Sequence, residues 1–472
     1  MPRVYLLSPQ RYPPEVIAVA FAKASRSPQP LDETAASLDQ SKSSRFHEKW
    51  VIGYGHASVA EHAVLHIAVE GVSRLAIETL ESNRLASYTE KSTRYQPFGP
   101  EDFVTPPELA ERPTLQARYQ QSVRSLFAAY HRCMDAARSE IARRHPLQPG
   151  ESPARWDARH RSQYADVCRF LLPAAAQAHL GITINARALA HALRKMLSHP
   201  LAEVRSVGEA IRQAAAAETP TLLRYVEAVP AWQQADAALR LEATACPAAE
   251  DDWCRLLDWR RDGEAHVLAA LLYRFSAQPF STCLAQVEKM PPSARGRLAE
   301  QVLGVLGEHD IPPRELEYAW YEFDVLMDQG AYYEFKRHRM MTQTPQPLST
   351  RWGYALPRLI VEIGLEADYR AAMAEAAATY EALAAWNPDV ASYVVPNAFH
   401  RRVLVAFNLR EAYHFLRLRT AANAHFSIRR VAWRMAEHIT AVTPLLTAFL
   451  RLPAGETWQD VTRRYFAAWR VE

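Results

Sequence analysis

The sequence predicts a fold that combines helices with strands and is built from two related halves. The length of 472 residues exceeds that of one ordinary domain and predicts two or three. Residues 62–70 alternate apolar and polar side chains, as a half-buried strand does, whereas residues 113–143 carry apolar side chains at helical spacing. A short polar motif also recurs once in each half, and this recurrence indicates a duplicated domain.

The composition is typical of a soluble globular protein, with 49% hydrophobic and 23% charged residues. Lysine and arginine total 55 against 52 acidic residues, so the net charge is only +3. A balance so close to neutral argues against a general polyanion binder, and we expect neither nucleic acid nor membrane as a partner. No apolar stretch approaches the length of a membrane span or of a signal peptide, so we predict a cytoplasmic protein.

The cysteine and histidine positions give little support for a metal site. The cysteines form no C-x-x-C pair and no zinc-ligand spacing; they are Cys133, Cys168, Cys246, Cys254 and Cys283. We therefore predict neither a disulfide framework nor a zinc ribbon. His56, His62 and His66 are close in sequence but lack the helical spacing of a ligand pair, so we expect no metal.

Capping residues and periodicity predict the elements of the first half. Helices are expected at 15–24 and 41–52, and Ser73 is placed to cap a third helix. Small polar residues punctuated by arginines predict an irregular segment over 83–95, either a ligand loop or a plain solvated loop. Residues 145–162 contain prolines and arginines, and we expect a surface insertion there.

The basic stretch Arg337-His338-Arg339 is the main candidate for chemistry in the second half. It follows an apolar segment, 323–335, that is typical of a buried helix. Arginine presents a planar fork of donors suited to a phosphate or a ring carbonyl, and histidine can be neutral or charged near pH 7. A solvated basic helix end, favoured by the helix dipole, is the alternative.

The internal repeat consists of an asparagine, an arginine and a histidine at fixed spacing. The two copies are Asn185-x-Arg187-x-x-x-His191 and Asn408-x-Arg410-x-x-x-His414. A proline stands twelve residues upstream of each asparagine, and each copy opens an amphipathic helix, for which Asn185 is placed as the N-cap. Because the arginine and the histidine are four residues apart, they share one face of that helix.

The repeat and a weak pattern between the halves predict the domain boundaries. We expect an N-terminal domain at 1–235, a linker at 236–262 and a C-terminal domain at 263–472. Two such domains can pack as an internal pseudo-dimer. In the second copy, Arg410 and Arg419 are nine residues apart, so they should lie on opposite faces of their helix.

Longer motifs accompany the repeat in each half. The first half contains His56-x-Ser58-x-x-Glu61-His62, then Arg84-x-x-Ser87-x-x-Glu90-x-Ser92-x-Arg94-Tyr95, then Cys168-Arg169-x-x-Leu172-Pro173. The second half contains Arg337-His338-Arg339, then Asn408-Leu409-Arg410, then Arg419. Together these motifs resemble the flavin-dependent thymidylate synthases, the ThyX family, over most of the chain as two diverged copies.

The resemblance implies an α/β (α+β) fold of two tandem ThyX-like domains, each a small mixed sheet with long helices, packed as a pseudo-dimer. It implies an enzyme that uses FAD to convert dUMP to dTMP by reductive methylation. Methylenetetrahydrofolate would supply the carbon, and NADPH would reduce the flavin. A homodimer of tandem chains would then mimic the tetramer of the family.

The resemblance also implies roles for particular residues. Arg419, facing the uracil, and Ser92 would be catalytic. The residues implied to bind substrate are Glu90, Arg94, Arg169 and Arg337. The residues implied to bind cofactor are Ser58, Asn185, Arg187, His191, Arg337, His338, Arg339, Asn408, Arg410 and His414. No cysteine stands in a recognisable nucleophile motif, which favours the flavin route over a thiol-dependent one.

Each copy departs from the family pattern. The first has Ser82-Asn83-Arg84 in place of Arg-His-Arg, and Met196 in place of the uracil-facing arginine. The second has Ser392 in place of the phosphate-binding arginine. These complementary losses lead to the hypothesis of composite sites, with the nucleotide loop from one copy and Arg-His-Arg from the other. The alternatives are a catalytically inactive flavin- or nucleotide-binding paralogue and an enzyme that modifies C5 of another uridine nucleotide.

Overall fold

The computed structural model describes residues 3, 5–24, 27–95, 98–243 and 252–471. The chain divides into two compact units, neither of which is continuous in sequence. Unit 1 consists of Met1–Gln121, Ala174–Ala248 and Leu383–Tyr393, and unit 2 consists of Ser122–Pro173, Ala249–Ala382 and Val394–Glu472. Each unit therefore contains a segment from the other half of the chain. The domain boundaries predicted from sequence, at 235 and 263, refer to the two sequence copies and not to these units, and they stay a prediction.

Helices form much of the structure of both units. In the first half they are α1 (Pro14–Ala24), α2 (Leu31–Ala36), α3 (Gln40–Phe46), α4 (Arg74–Glu81), α5 (Pro113–Arg144), α6 (Pro153–Cys168), α7 (Ala186–Leu197), α8 (Ala202–Ala216) and α9 (Pro230–Ala243). In the second half they are α10 (Gly263–Tyr273), α11 (Phe280–Lys289), α12 (Pro292–Ala299), α13 (Gln329–Phe335), α14 (Arg358–Glu362), α15 (Glu366–Ala384), α16 (Pro388–Ala391), α17 (Leu409–Arg419), α18 (Phe426–Val442), α19 (Pro444–Thr447) and α20 (Trp458–Tyr465). Across the described part of the chain, no helix combines the length and the apolar character that crossing a membrane requires.

The strands form small antiparallel sheets. They are β1 (Val64–Ser73), β2 (Ala86–Glu90), β3 (Gln177–Asn185), β4 (Cys254–Trp259), β5 (Trp320–Asp328), β6 (Thr342–Pro345), β7 (Tyr354–Pro357), β8 (His400–Asn408) and β9 (Phe466–Val471). The sheet orders are β1-β3-β2 in unit 1, and β4-β5-β8-β6 and β7-β9 in unit 2. The predicted α+β class is confirmed, although the described strand pairs are antiparallel where a mixed sheet was expected.

In unit 1, two strands end on residues that cap the following helix. Ser73 ends β1, and its hydroxyl accepts a hydrogen bond from the Ala76 N–H at 3.1 Å, which starts α4. Asn185 ends β3, and its side-chain oxygen accepts from the Ala188 N–H at 2.8 Å, which starts α7. Both caps confirm the prediction, because a short polar side chain at this position satisfies a backbone N–H that the helix itself cannot.

Unit 2 repeats this arrangement. Its strands β5, β8 and β6 follow the same order as β1, β3 and β2, and β4 is added beside β5. Asp328 ends β5 and caps α13 through the Ala331 N–H at 2.8 Å. Asn408 ends β8 and caps α17 through the Glu411 N–H at 2.9 Å. The repeat that the sequence predicts is thus present as a repeated strand–cap–helix topology.

The core of unit 2 lies where its larger sheet packs against helices α10, α17 and α18. Phe323 of β5, Val405 of β8, Phe415 of α17 and Ile428 of α18 are fully buried there. In unit 1, β1 packs against α8, and α7 packs against α8. Burying a large apolar side chain stabilises a fold by about 1.5–3 kcal/mol, so these contacts fix the helices from which the candidate site residues project.

Polar contacts hold the segments that each unit takes from the other half. In unit 1, the buried Glu203 carboxylate accepts hydrogen bonds from the hydroxyls of Ser73 and Tyr393, each at 2.6 Å. Tyr393 belongs to the segment Leu383–Tyr393 and is fully buried. In unit 2, the side-chain amide of Asn397 donates to the backbone oxygen of Arg169 at 2.9 Å. Each of these segments therefore contributes buried or hydrogen-bonded residues to its unit.

Several predicted elements differ from the structure. Residues 86–90 of the predicted loop form β2, because pairing with β3 supplies backbone hydrogen bonds that a local pattern does not reveal. Residues 153–162 of the predicted surface insertion belong to α6, whose Trp156 is buried. The predicted helix at 323–335 is β5 followed by α13. Successive residues at the end of β5 are buried, so its apolar run lacks a period of two.

The cysteine prediction also needs correction. A disulfide joins Cys133 of α5 to Cys168 of α6, where we expected no disulfide framework. The two are 35 residues apart and share no motif, so only the packing of the two helices reveals the pair. The predicted linker 236–262 includes the end of α9 and all of β4, whereas 244–251 lie outside the described residues.

Candidate functional site

Unit 1 contains a cavity of about 940 Å³ beside the start of α7. Three residues predicted to bind cofactor line it, namely Asn185, Arg187 and His191. The segment Ser82-Asn83-Arg84, which replaces Arg-His-Arg in this copy, also lines it. Ser58 is exposed in the short 3₁₀ turn Ala57–His62. Other residues of this turn line the cavity, namely Ala57, Ala60 and Glu61.

This cavity in unit 1, named the first cavity, is lined by more cations than carboxylates. Arg187 pairs with Glu61 at 2.5 Å, and Lys195 donates to the Ser82 hydroxyl. Burial lowers the pKa of Lys195, and burial together with the nearby Lys195 and Arg194 lowers the pKa of His191. Among the described residues that line it, Arg84, Arg187, Arg194 and Lys195 are cationic and Glu61 alone carries a carboxylate. A concave surface with this excess of one sign attracts an anion.

Unit 2 contains a second cavity, of about 460 Å³, at the start of α17. The repeated residues Asn408, Arg410 and His414 line it. Arg410 binds the Glu317 carboxylate at 2.9 Å and the Pro312 backbone oxygen at 3.0 Å. The repeat predicted from sequence thus appears as two cavities at equivalent places.

A buried cluster beside this second cavity contains the histidine of Arg337-His338-Arg339. His338 is 4% exposed, and its Nε2 accepts a hydrogen bond from the Arg419 Nε at 2.9 Å. Its Nδ1 lies 3.1 Å from a Glu411 carboxylate oxygen. Because arginine can only donate, Nε2 carries no proton and Nδ1 donates to Glu411. Burial lowers the pKa of His338, which agrees with a neutral ring, although the bond to Glu411 acts in the opposite direction.

Glu334 joins two arginines in the same cluster. Its carboxylate accepts hydrogen bonds from Arg169 at 3.0 Å and from Arg419 at 2.8 Å, one on each oxygen. Arg419 also donates to the Glu334 backbone oxygen at 3.1 Å. Arg169 comes from the first sequence half and Arg419 from the second, yet both belong to unit 2. The structure therefore brings together Arg169, His338 and Arg419, three of the predicted site residues.

Sequence reasoning missed the two carboxylates of this cluster. Glu334 stands three residues before Arg337, and Glu411 stands three residues after the capping Asn408. The predicted site residues in these stretches are cations and amides, because those groups suit a phosphate or a ring carbonyl. An acidic residue within a predicted basic site was the available signal, since a buried arginine requires a partner.

The remaining predicted residues lie in other surroundings. Glu90 of β2 forms a buried ion pair with Arg74 at 3.2 Å. The Ser92 hydroxyl accepts a hydrogen bond from the Arg94 N–H at 3.2 Å in a turn after β2. Glu90, Ser92 and Arg94 belong to unit 1. In unit 2, the Arg337 side chain is exposed and the Arg339 side chain is half-buried. The roles implied for all of these residues stay predictions.

The side chains offer neither a metal cluster nor an activated thiol in the described ranges. No group of three His, Cys, Asp or Glu side chains there is placed to hold a metal ion. Cys254 and Cys283 are buried, and burial raises the pKa of the Cys254 thiol. A buried thiol of raised pKa is a poor nucleophile.

The family model described as "Thymidylate synthase complementing protein" matches residues 7–221 and again residues 255–445. The chain belongs to the ThyX family. The two matches agree with the tandem arrangement of related copies, each with its own β-sheet and its own cavity.

Two relatives of this ThyX chain match it over most of its length. A UPF0159 protein of Chlamydia muridarum is 29% identical over 429 residues, which cover 87% of this chain and 81% of the relative. A UPF0159 protein of Thermoplasma acidophilum is 25% identical over 452 residues, covering 88% of this chain and 89% of the relative. The names of these relatives state no activity.

Other similar proteins carry the name of an enzyme but match a smaller part of the ThyX chain. A flavin-dependent thymidylate synthase of Thermococcus kodakarensis is 33% identical over 156 residues, covering 32% of this chain and 54% of the relative. The crystal structure of the flavin-dependent thymidylate synthase ThyX from Helicobacter pylori, complexed with FAD and dUMP, aligns with 18% identity and a TM-score of 0.32. That alignment covers 46% of this chain and 95% of the other.

The Glu334 bridge gives a testable expectation for this ThyX chain. Replacing Glu334 by glutamine is expected to strengthen binding of inorganic phosphate about tenfold, or about 1.4 kcal/mol, because an arriving anion would no longer compete with the carboxylate for Arg169 and Arg419. Titration calorimetry with phosphate measures the change. Glu362→Gln is the control, because that carboxylate pairs with the exposed Arg144 and lines neither cavity. Unchanged or weaker phosphate binding in Glu334→Gln would contradict the expectation.

Proposed function

We propose that the chain is an FAD-dependent thymidylate synthase, which converts dUMP to dTMP with methylenetetrahydrofolate as carbon donor and NADPH as reductant. The observation that supports this most directly is the cluster of Arg169, His338 and Arg419. These residues come from both sequence halves, and their geometry depends on the fold of unit 2. Family membership supplies the reaction class, since curated relatives are named flavin-dependent thymidylate synthases.

The first cavity fits FAD in charge and in size. Its four cationic side chains suit a diphosphate, and its apolar residues Val51, Ile52 and Leu222 suit the flat rings of a flavin or an adenine. Asn185 and Arg187 would hold the cofactor from the start of α7. When bound, FAD supplies the reducing equivalents for the transferred carbon, and the protein supplies binding and orientation.

Arg419 would act on the uracil electrostatically. C5 of uracil becomes nucleophilic when negative charge on the ring is stabilised, and a fixed guanidinium provides that stabilisation without a covalent bond. The bonds from Arg419 to His338 and Glu334 hold its side chain in one orientation, so little reorganisation would be needed. We propose that Ser92, Arg94 and Arg169 are substrate-binding residues suited to a phosphate, and that Glu90 and Arg337 also contact the substrate.

A second candidate is a ThyX paralogue that binds flavin or nucleotide without turning substrate over. The observation that favours it is the Glu334 carboxylate, which already occupies hydrogen-bonding positions of both Arg169 and Arg419. The buried pair of Glu90 with Arg74 points the same way, because a paired carboxylate is a weaker partner for substrate. Modification of C5 in another uridine nucleotide is a further alternative.

One assay separates these candidates. The purified full-length chain is expected to show flavin absorbance and, with reduced flavin and methylenetetrahydrofolate, to release the C5 hydrogen of dUMP as water. Tritium release from [5-³H]dUMP measures the reaction, and [5-³H]UMP is the matched comparison. A yellow protein that releases nothing from either nucleotide would indicate the inactive paralogue. Release from UMP would indicate the third alternative, and a colourless protein that cannot be reconstituted would refute the proposed function.

A further inference from the structure

The two cavities occupy equivalent positions of the sequence repeat. Each is lined by the same four residue types at the same spacing, namely Asn185, Arg187, His191 and Arg194 in the first cavity and Asn408, Arg410, His414 and Arg417 in the second. In each cavity the first arginine pairs with a glutamate from a short 3₁₀ turn, Glu61 or Glu317. One ancestral binding site is therefore present twice.

The charges of the two cavities have since diverged. The third residue after the capping asparagine is Ala188 in the first cavity and Glu411 in the second, and both line their cavity. Glu308 and Asp310 add two further carboxylates to the second cavity. Its lining combines the cations Arg410, Arg417 and Arg451 with the carboxylates of Glu308, Asp310, Glu317 and Glu411. The described lining of the first cavity has four cations against one carboxylate, so of these two cavities the first favours an anion.

The guanidiniums of the second cavity hydrogen-bond to the protein itself, as Arg187 and Lys195 of the first cavity do. Arg410 binds Glu317 and a backbone oxygen, Arg417 donates to the Glu308 backbone oxygen, and Arg451 donates to the Leu306 backbone oxygen. The charges differ instead, because a phosphate entering the second cavity would lie beside the carboxylates of Glu308, Asp310, Glu317 and Glu411. The second cavity also has about half the volume of the first, 460 Å³ against 940 Å³. Both differences act against a dinucleotide.

We propose that each chain binds one dinucleotide, in the first cavity, and that the carboxylates of the second cavity exclude polyanions from it. The identity of the ligand as FAD rests on the function proposed above, whereas the preference for a diphosphate rests on charge alone. Within the repeated motif, the two cavities differ three positions after the capping asparagine, where the first has Ala188 and the second has Glu411.

The test is the number of FAD molecules bound to the reconstituted full-length chain and the effect of a carboxylate placed in the first cavity. Titration calorimetry and flavin absorbance are expected to give one FAD per chain. Ala188→Glu copies the second cavity and should weaken FAD binding by 10- to 100-fold. Ala188→Gln has nearly the same size without the charge, and its FAD affinity should stay within about threefold of wild type. Thermal unfolding of both variants shows whether they fold.

Titration with ADP separates this inference from the proposed function, because ADP carries a diphosphate but no flavin. One ADP site per chain that weakens in Ala188→Glu, in a protein that ignores FAD, would support the charge difference while refuting the flavin enzyme. Two equal sites for either ligand, or equal weakening by Ala188→Glu and Ala188→Gln, would overturn the inference. Absence of binding of both ligands to the wild-type chain would overturn it as well.

Discussion

Replacing Arg419 by alanine is expected to slow release of the C5 hydrogen from dUMP by roughly 10²- to 10³-fold, the usual cost of removing one preorganised donor to a developing negative charge. The guanidinium is fixed by Glu334 and by the neutral His338, so its position does not depend on substrate. Alanine leaves no cation in that place, and the uracil ring would lose the charge that makes C5 reactive. Tritium release at saturating dUMP measures the loss.

Arg417→Ala is the control, because Arg417 lies two residues away on α17 but lines the second cavity. It should leave the rate within about twofold of wild type. Arg419→Lys retains a positive charge but loses the planar fork, so an intermediate rate is expected. Full turnover by a folded Arg419→Ala protein would remove Arg419 from the mechanism, and its thermal unfolding midpoint checks the fold.

Acidification from pH 7 to pH 4.5 is expected to lower the free energy of unfolding by roughly 2 to 3 kcal/mol through His400 alone. His400 is fully buried in β8, donates from Nδ1 to the Gly353 backbone oxygen at 3.1 Å and packs against Trp469. Burial lowers its pKa from 6.5 to about 3. Below pH 6.5 the unfolded chain gains a proton that native His400 does not, so stability falls from that pH down to about pH 3.

Urea unfolding of wild type and His400→Gln at pH 7 and pH 4.5 measures this effect. Glutamine can still donate to Gly353 but cannot be protonated, so the variant should lose less stability on acidification. Burial raises the pKa of Asp328 to about 6, and protonation of this carboxyl stabilises unit 2 as the pH falls from 6 to 3.8. Both proteins contain Asp328, so their difference isolates His400. His309→Gln is the control, because His309 is exposed. If His400→Gln loses as much stability on acidification as wild type does, the prediction is contradicted.

The features that sequence predicted correctly are those that depend on local chemistry. Ser73 and Asn185 cap their helices as expected, because an N-cap involves only a side chain and the next turn of backbone; Asn408 caps its helix in the same way. The opposite orientation of Arg410 and Arg419 also follows from helix geometry alone. Arg410 faces the second cavity, whereas Arg419 reaches Glu334 and His338.

The features that sequence did not predict depend on contacts between distant segments. Strand β2 forms because β3 pairs with it, although the two are far apart in the chain. Cys133 meets Cys168, and Glu334 meets Arg169, through packing that no spacing records. The role of Glu334 was missed for a physical reason. A carboxylate that accepts hydrogen bonds from two arginines cannot be distinguished, in the sequence, from a carboxylate exposed on the surface.

The interlaced composition of the two units constrains how the chain acquires its structure during synthesis. Unit 1 includes Leu383–Tyr393, whose Tyr393 hydroxyl binds Glu203 in the interior, so this unit cannot be completed until the ribosome has passed residue 393. Unit 2 includes Ser122–Pro173, which waits for a partner translated much later. Such high contact order slows folding and prolongs the exposure of apolar surface. A gene cut between its two halves would encode fragments that each lack an interior piece.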